Sequence, residues 1–148
     1  MAGMQRRLRN EWLALQNDPP PGMTLKRRRV QNTTTEWVIE LKGSPRTQYE
    51  GQKFQLLFTF GSRYPYEPPQ VMFTGKNIPV HPYVDSNGHI RLSNLTEHWI
   101  PVLTVRSWCF SIISMLCIAS VKRRPPNNSS DVQTCNNSPK KRKWWCWW

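Results

Sequence analysis

The sequence predicts an α+β domain: an N-terminal helix, an antiparallel four-stranded meander, a long proline-rich loop and a second helix. Three observations support this. Apolar residues recur at three- and four-residue spacing near each end of the first 120 residues. Between those stretches, apolar and polar residues alternate with period two, as the two faces of a strand require. The strand candidates follow one another through short breaks, which favours antiparallel neighbours. The length of 148 residues fits one domain. At that size a chain buries roughly 68–70% of its unfolded surface.

Met4, Leu8, Trp12 and Leu15 form one apolar stripe, predicting a helix over Met4–Leu15. Asn17-Asp18-Pro19-Pro20-Pro21-Gly22 ends it, since proline lacks an amide donor and restricts the residue before it. Met23–Val30 is the weakest strand candidate. In Glu36–Lys42, Trp37, Ile39 and Leu41 share a face, and in Lys53–Phe60 Phe54, Leu56, Phe58 and Phe60 do. Gln70–Phe73 is a short fourth strand. From Tyr64 to Pro101 the pattern is irregular, with Pro65, Pro68, Pro69, Pro79, Pro82 and Pro101; so long a loop in a compact domain is usually functional. Val105, Trp108, Cys109, Ile112, Ile113 and Leu116 then mark a helix over Thr104–Ala119, with Thr104 as its cap. Residues 1–120 are expected to form the core. Residues 121–148, basic and rich in Asn, Ser and Pro, are expected to be a mobile tail.

With 38% hydrophobic and 11% aromatic residues, the chain is too apolar for a disordered one. No run approaches the roughly 18 apolar residues of a membrane helix. Met1–Asn10 holds no apolar stretch of a secretory signal, so a soluble intracellular domain is expected. The net charge of +12 is uneven: residues 1–30 carry +5, residues 31–119 only +1, and residues 120–148 carry +6. Only the ends advertise an anionic partner. Cys109, Cys117, Cys135 and Cys146 show neither a paired CxxC nor a zinc spacing, and free thiols are expected.

The loop carries the specific signal. Tyr64-Pro65-Tyr66-Glu67-Pro68-Pro69, His81-Pro82-Tyr83, Ser86-Asn87-Gly88-His89-Ile90, Leu92-Ser93-Asn94-Leu95 and Trp99-Ile100-Pro101-Val102-Leu103-Thr104 resemble, in order, motifs of the ubiquitin-conjugating enzyme family. Leu13–Pro21, Gln70–Val80 and Lys143-Trp144-Trp145 look most like the family's W type. The resemblance spans essentially the whole chain. It implies the ubiquitin-conjugating fold and a transferase of the ubiquitin pathway that needs neither metal nor organic cofactor. Implied partners are ubiquitin, its activating enzyme, and RING-type or U-box ligases. The W type attaches ubiquitin to the α-amino group of flexible N-termini. A location in nucleus and cytoplasm is expected.

The family's chemistry rests on a cysteine ten residues after the His of His-Pro, because a thiolate is both a nucleophile and a leaving group. The resemblance puts Arg91 at that place. A guanidinium stays protonated, offers only donors and has no nucleophilic lone pair. Ser93 would need an activating base, and its ester would be a poorer acyl donor. Cys109 and Cys117 are expected to serve packing in the second helix. Tyr83 stands where the family usually has Asn or His, and its phenol is a possible donor. His81 is expected to organise the loop, and Ile100 replaces a usual Ser. By resemblance, ligases meet Arg6, Arg7, Pro65, Tyr66, Pro101 and Val102. Loop shaping is the alternative for Tyr66 and Pro101, and an ordinary solvated helix face for Arg6, Arg7 and Arg9.

Three functions stay open on these grounds. The first is a protein that keeps the fold but is catalytically dead, at most a ligase- or ubiquitin-binding module. The second is a transferase using another cysteine, with Cys109 nearest in sequence. The third is a basic nucleic-acid binder using the two basic ends, residues 1–30 with Lys26–Arg29 and residues 120–148. Pro139-Lys140-Lys141-Arg142-Lys143 also resembles a nuclear-import signal, or is a plain solvated charge run. Trp144, Trp145, Trp147 and Trp148 have the chemistry to stack on bases or sit at a membrane interface, though no membrane role is expected.

Overall fold

The computed structural model describes residues 2–31, 34–91 and 98–125. Helix α1 spans Ala2–Asn17, strands β1 to β4 span Met23–Gln31, Thr34–Lys42, Lys53–Phe60 and Gln70–Thr74, and helix α2 spans Val105–Cys117. The strands form one antiparallel sheet in the order β1-β2-β3-β4. Both helices and all four strands fall within one or two residues of the expected spans at each end.

Alternation decides the inner face. Leu41 pairs with Phe54, Ile39 with Leu56 and Trp37 with Phe58, and all six are buried. On the other face Val38, Leu57 and Met72 form a cross-strand row among polar neighbours. Met4, Leu8 and Leu15 of α1 and Val105, Trp108, Cys109 and Ile112 of α2 join the same core. Burying side chains of this size contributes about 1.5–3 kcal/mol each. Aromatic rings meet edge to face along it, as Trp12 on Trp37 at 5.1 Å and Trp37 on Phe60 at 4.7 Å.

Strand β1 was the hardest to read because its alternation breaks. A bulge at Lys26 shifts the register between Leu25 and Arg27, and most of this edge strand is exposed. Helix α2 begins where expected. The Thr104 side chain accepts from the Ser107 amide at 3.2 Å, and the Ser107 hydroxyl accepts from the Thr104 amide at 3.1 Å.

One expectation needs correction. Cys117 is exposed rather than packed, its thiol 3.6 Å from the Ser44 hydroxyl. It lies just past Met115 and Leu116, which face the core, and so turns outwards. Ile118, the C-cap, is 82% exposed. Beyond residue 120, Pro125 is buried and Arg124 half-buried.

Candidate functional site

The stretch from Ile78 to Arg91 lies outside the sheet but is laced to itself and to the core. His81 pairs with Val84, and Val84 with Ile90, as isolated bridges, while the Arg91 amide donates to the Tyr83 carbonyl at 2.7 Å. Gly88 makes the return turn with φ +97°. The Phe73 amide donates to the Gly88 carbonyl at 2.9 Å. A Cβ on Gly88 would stand 1.9 Å from the Phe73 carbonyl oxygen, so only glycine fits. Strand β4 thus docks the loop edge-on.

His81 is hydrogen-bonded on both ring nitrogens, to the loop and to α2. It is buried, its Nδ1 accepts from the Tyr83 amide at 2.9 Å, and its Nε2 lies 3.0 Å from the Met115 carbonyl. Those partners require hydrogen on Nε2 and a neutral ring. Burial lowers the imidazole pKa, and the bond to Met115 partly opposes this. Tyr83 contributes through its backbone to both His81 and Arg91, while its ring is 52% exposed.

Arg91 reaches back under the loop. Its Nε and Nη2 donate to Asp85 Oδ1 at 3.0 and 2.6 Å. Asp85 is only 1% exposed, and the Arg91 side chain 22%. A buried carboxylate is costly unless a charged donor meets it, and Arg91 supplies one. The guanidinium is thereby bound to its own loop. Beside Tyr83 runs a groove of about 640 Å³ between Pro82 and Tyr83, the outer side of α2 at Phe110, Ser114 and Ile118, and the segment bearing Val121 and Arg123.

The alternative nucleophiles fare differently. Cys109 is fully buried, and burial pushes its thiol up to about 12, so it is neither accessible nor ionised. Cys117 lies at the far end of α2 beside Ser44. Ser93, Cys135, Cys146, the Lys140–Lys143 cluster and the terminal tryptophans lie outside the described residues, as does Leu92-Ser93-Asn94-Leu95.

The residues expected to meet a ligase converge. The Trp99 indole donates to the Pro65 carbonyl at 2.8 Å, bringing the two proline loops together. Arg7 Nη2 donates to the Leu103 carbonyl at 2.6 Å, tying α1 to the same place. Tyr66, Ile100 and Val102 are 79%, 53% and 75% exposed, leaving an apolar patch around Pro65 and Pro101. Arg6 is exposed, whereas Arg7 is half-buried between Glu11, at 3.0 Å, and Leu103. Glu11 sits at the centre: it accepts from Arg7 Nε, from the Tyr64 hydroxyl, and from the Val105 amide at 2.8 Å.

The basic run Lys26–Arg29 does not present one face. Lys26 pairs with Glu40 at 3.5 Å, and Arg28 lies over the Trp12 ring at 5.5 Å. Arg27 and Arg29, opposite Val38 and Glu36, share the face of Lys26 and Glu40, and Arg28 alone of the four turns to the Trp12 side of the sheet. Among the described residues no group of His, Cys, Asp and Glu could hold a metal ion, and no helix is long and apolar enough to cross a membrane.

Sequence reasoning missed the residues that fasten the loop. The Tyr49 hydroxyl donates to the Val80 carbonyl at 2.6 Å, and Arg124 donates to four loop carbonyls. Burial raises the Tyr49 pKa and lowers that of Arg124. Neither residue stands in a motif, and they lie 31 to 46 positions from the carbonyls they bind.

Comparison with known proteins agrees with this geometry. A family model described as ubiquitin-conjugating enzyme matches residues 7–147. The probable ubiquitin-conjugating enzyme E2 W-A of Danio rerio is 68% identical over 126 residues, covering 85% of this chain and 83% of that protein. The ubiquitin-conjugating enzyme E2 W of Caenorhabditis elegans is 43% identical over 120 residues, covering 81% and 79%. Among solved structures, the ubiquitin-conjugating enzyme E2 UbcA1 from Agrocybe aegerita superposes with a TM-score of 0.82 at 37% identity, covering 93% of this chain and 98% of that one. Fold, motif order and relatives lead to one conclusion: the chain belongs to the ubiquitin-conjugating enzyme family.

Proposed function

We propose that this protein is a W-type member of the ubiquitin pathway that binds partners without forming a thioester. The single observation carrying this is Arg91, ten residues after His81, with its guanidinium fixed on Asp85. In this reading Arg91 holds the place of the family's nucleophilic cysteine. A protonated guanidinium cannot attack an acyl adenylate or thioester, having no available lone pair. Burial of Cys109 weighs against that thiol as a substitute. The exposed apolar patch of Tyr66, Ile100 and Val102 favours a RING-type or U-box ligase as the retained partner.

The test is a charging reaction with ubiquitin-activating enzyme, ATP and ubiquitin, run on a non-reducing gel. The expected result is no reducible adduct on this chain. Arg91→Cys is expected to gain one and to pass ubiquitin to a flexible N-terminal α-amine. A thiol-sensitive adduct on the unaltered chain, mapped to any cysteine by mass spectrometry, would overturn the proposal. Ligase binding is checked by calorimetry with a RING domain, where Tyr66→Ala is expected to weaken the complex by about tenfold or more, as truncating an aromatic anchor does.

A further inference from the structure

After α2 the chain turns across the Ile78–Arg91 loop, and its two arginines there point opposite ways. Arg123 lines the groove beside Tyr83, while Arg124 runs inwards. Arg124 Nη1 donates to the carbonyls of Pro79, Val84 and Asp85 at 2.8, 3.1 and 3.3 Å. Its Nη2 donates to the Ile78 carbonyl at 3.3 Å. These carbonyls come from both limbs of the turn built on His81-Pro82-Tyr83. One planar guanidinium therefore holds the limbs to each other and the post-helix segment to both. Pro125, next in sequence, is buried, and Lys122 lies over the ring of Tyr49 at 5.2 Å, the residue that binds Val80 between the limbs.

We propose that Arg124 is a positioning residue that joins the site loop to the post-helix segment and so sets the groove beside Pro82 and Tyr83. Inward-turned carbonyls need donors, and Arg124 supplies them to both limbs. A guanidinium carries its donors in a rigid planar fork. A lysine ammonium brings three donors from one point and cannot span the same four oxygens. The groove has the loop for one wall and the segment for another, so loss of this joint lets the walls part. Arg124 acts on the site only through these carbonyls. The proposal does not depend on whether Arg91 abolishes charging.

The experiment is residue-resolved amide hydrogen exchange on the full chain, comparing wild type, Arg124→Ala and Arg124→Lys. The reporters are the amides of Val84, Asp85, Gly88 and Arg91, all hydrogen-bonded within the loop. The amides of Ile39 and Leu56 in the central strands serve as reference. Arg124→Ala is expected to speed exchange at the loop reporters by about tenfold or more, the effect of losing one charge-assisted bond, with the sheet changing far less. Arg124→Lys is expected to recover only part of the protection. It keeps the charge and gives the same loop-against-sheet comparison even where the alanine variant folds poorly. A side chain that merely adds global stability would speed loop and sheet together. That uniform change, an unchanged loop, or full recovery by lysine overturns the proposal.

Discussion

Glu11→Ala removes the one acceptor on which α1, the Tyr64-Pro65 turn and the start of α2 all depend. Three donors lose it: Arg7 Nε at 3.0 Å, the Val105 amide at 2.8 Å, and the Tyr64 hydroxyl. The cost is unequal among them. Arg7 keeps the Leu103 carbonyl at 2.6 Å and is partly solvated, so its loss is small. Val105 and Tyr64 are 0% and 2% exposed, and water does not readily replace the lost oxygen. A buried donor left without an acceptor costs about 1–3 kcal/mol, hence about 2–6 for the pair. Removing the negative charge that α1 places beside the N-terminus of α2 adds about 0.3–1 kcal/mol. The expected loss is therefore about 2–7 kcal/mol, a large share of the roughly 5–15 kcal/mol that holds a domain together. Glu11→Gln keeps a carbonyl oxygen and should lose about half as much. Urea denaturation followed by tryptophan fluorescence reads both, with an unchanged denaturant slope showing that only stability moved. A loss below about 1 kcal/mol for Glu11→Ala would refute the view that this carboxylate is the joint.

Arg91→Ala should destabilise by about 3 kcal/mol, the low end for breaking a buried ion pair, because Arg91 retains 22% side-chain exposure. In a double-mutant cycle with Asp85→Asn the coupling should exceed about 1 kcal/mol; additive effects would contradict the pairing. The folded pKa of His81 lies below its ordinary value, so below about pH 6.5 the unfolded chain binds more protons. Its contribution to stability is therefore present at neutral pH and lost as pH falls through the ordinary value towards the folded one, and His81→Gln should flatten a melting curve series from pH 7 to pH 5. Gly88→Ala places a Cβ 1.9 Å from the Phe73 carbonyl oxygen, and should release the loop from β4, seen as lost protection of the Phe73 amide. Native Cys109 should resist a thiol reagent that labels Cys117, and become reactive only on unfolding, as peptide mass mapping would show.

Periodic elements were legible because their physics is local. The helix stripes at Met4–Leu15 and Val105–Leu116, and the alternation in Glu36–Lys42 and Lys53–Phe60, need only neighbours in sequence to declare themselves. Strand β1 was faint because it lies at the sheet edge and is bulged at Lys26, so it has no continuous buried face. The order of loop motifs was legible too, and hydrogen bonds join Trp99 to Pro65 and Leu103 to Arg7 of α1. What holds the loop was not. Asp85 and Arg91 lie six apart in irregular chain, where spacing carries no meaning, and Arg124 binds carbonyls 39 to 46 residues away. Glu11 looked like one polar residue on a helix. Only the arrival of Tyr64 and Val105 beside it makes it a junction.

The bulged edge of β1 has a consequence for how this protein meets copies of itself. An open sheet edge offers amides and carbonyls to any extended chain, and unprotected edges lead to aggregation. Here a strand approaching β1 would meet Lys26, Arg27, Arg28 and Arg29 in succession, beside a distortion that spoils its register. At the opposite edge, β4 is already engaged, since Met72 pairs with His89 and Phe73 with Gly88. The site loop and the arginine run therefore share a task unrelated to chemistry: each closes one side of the sheet against strand addition.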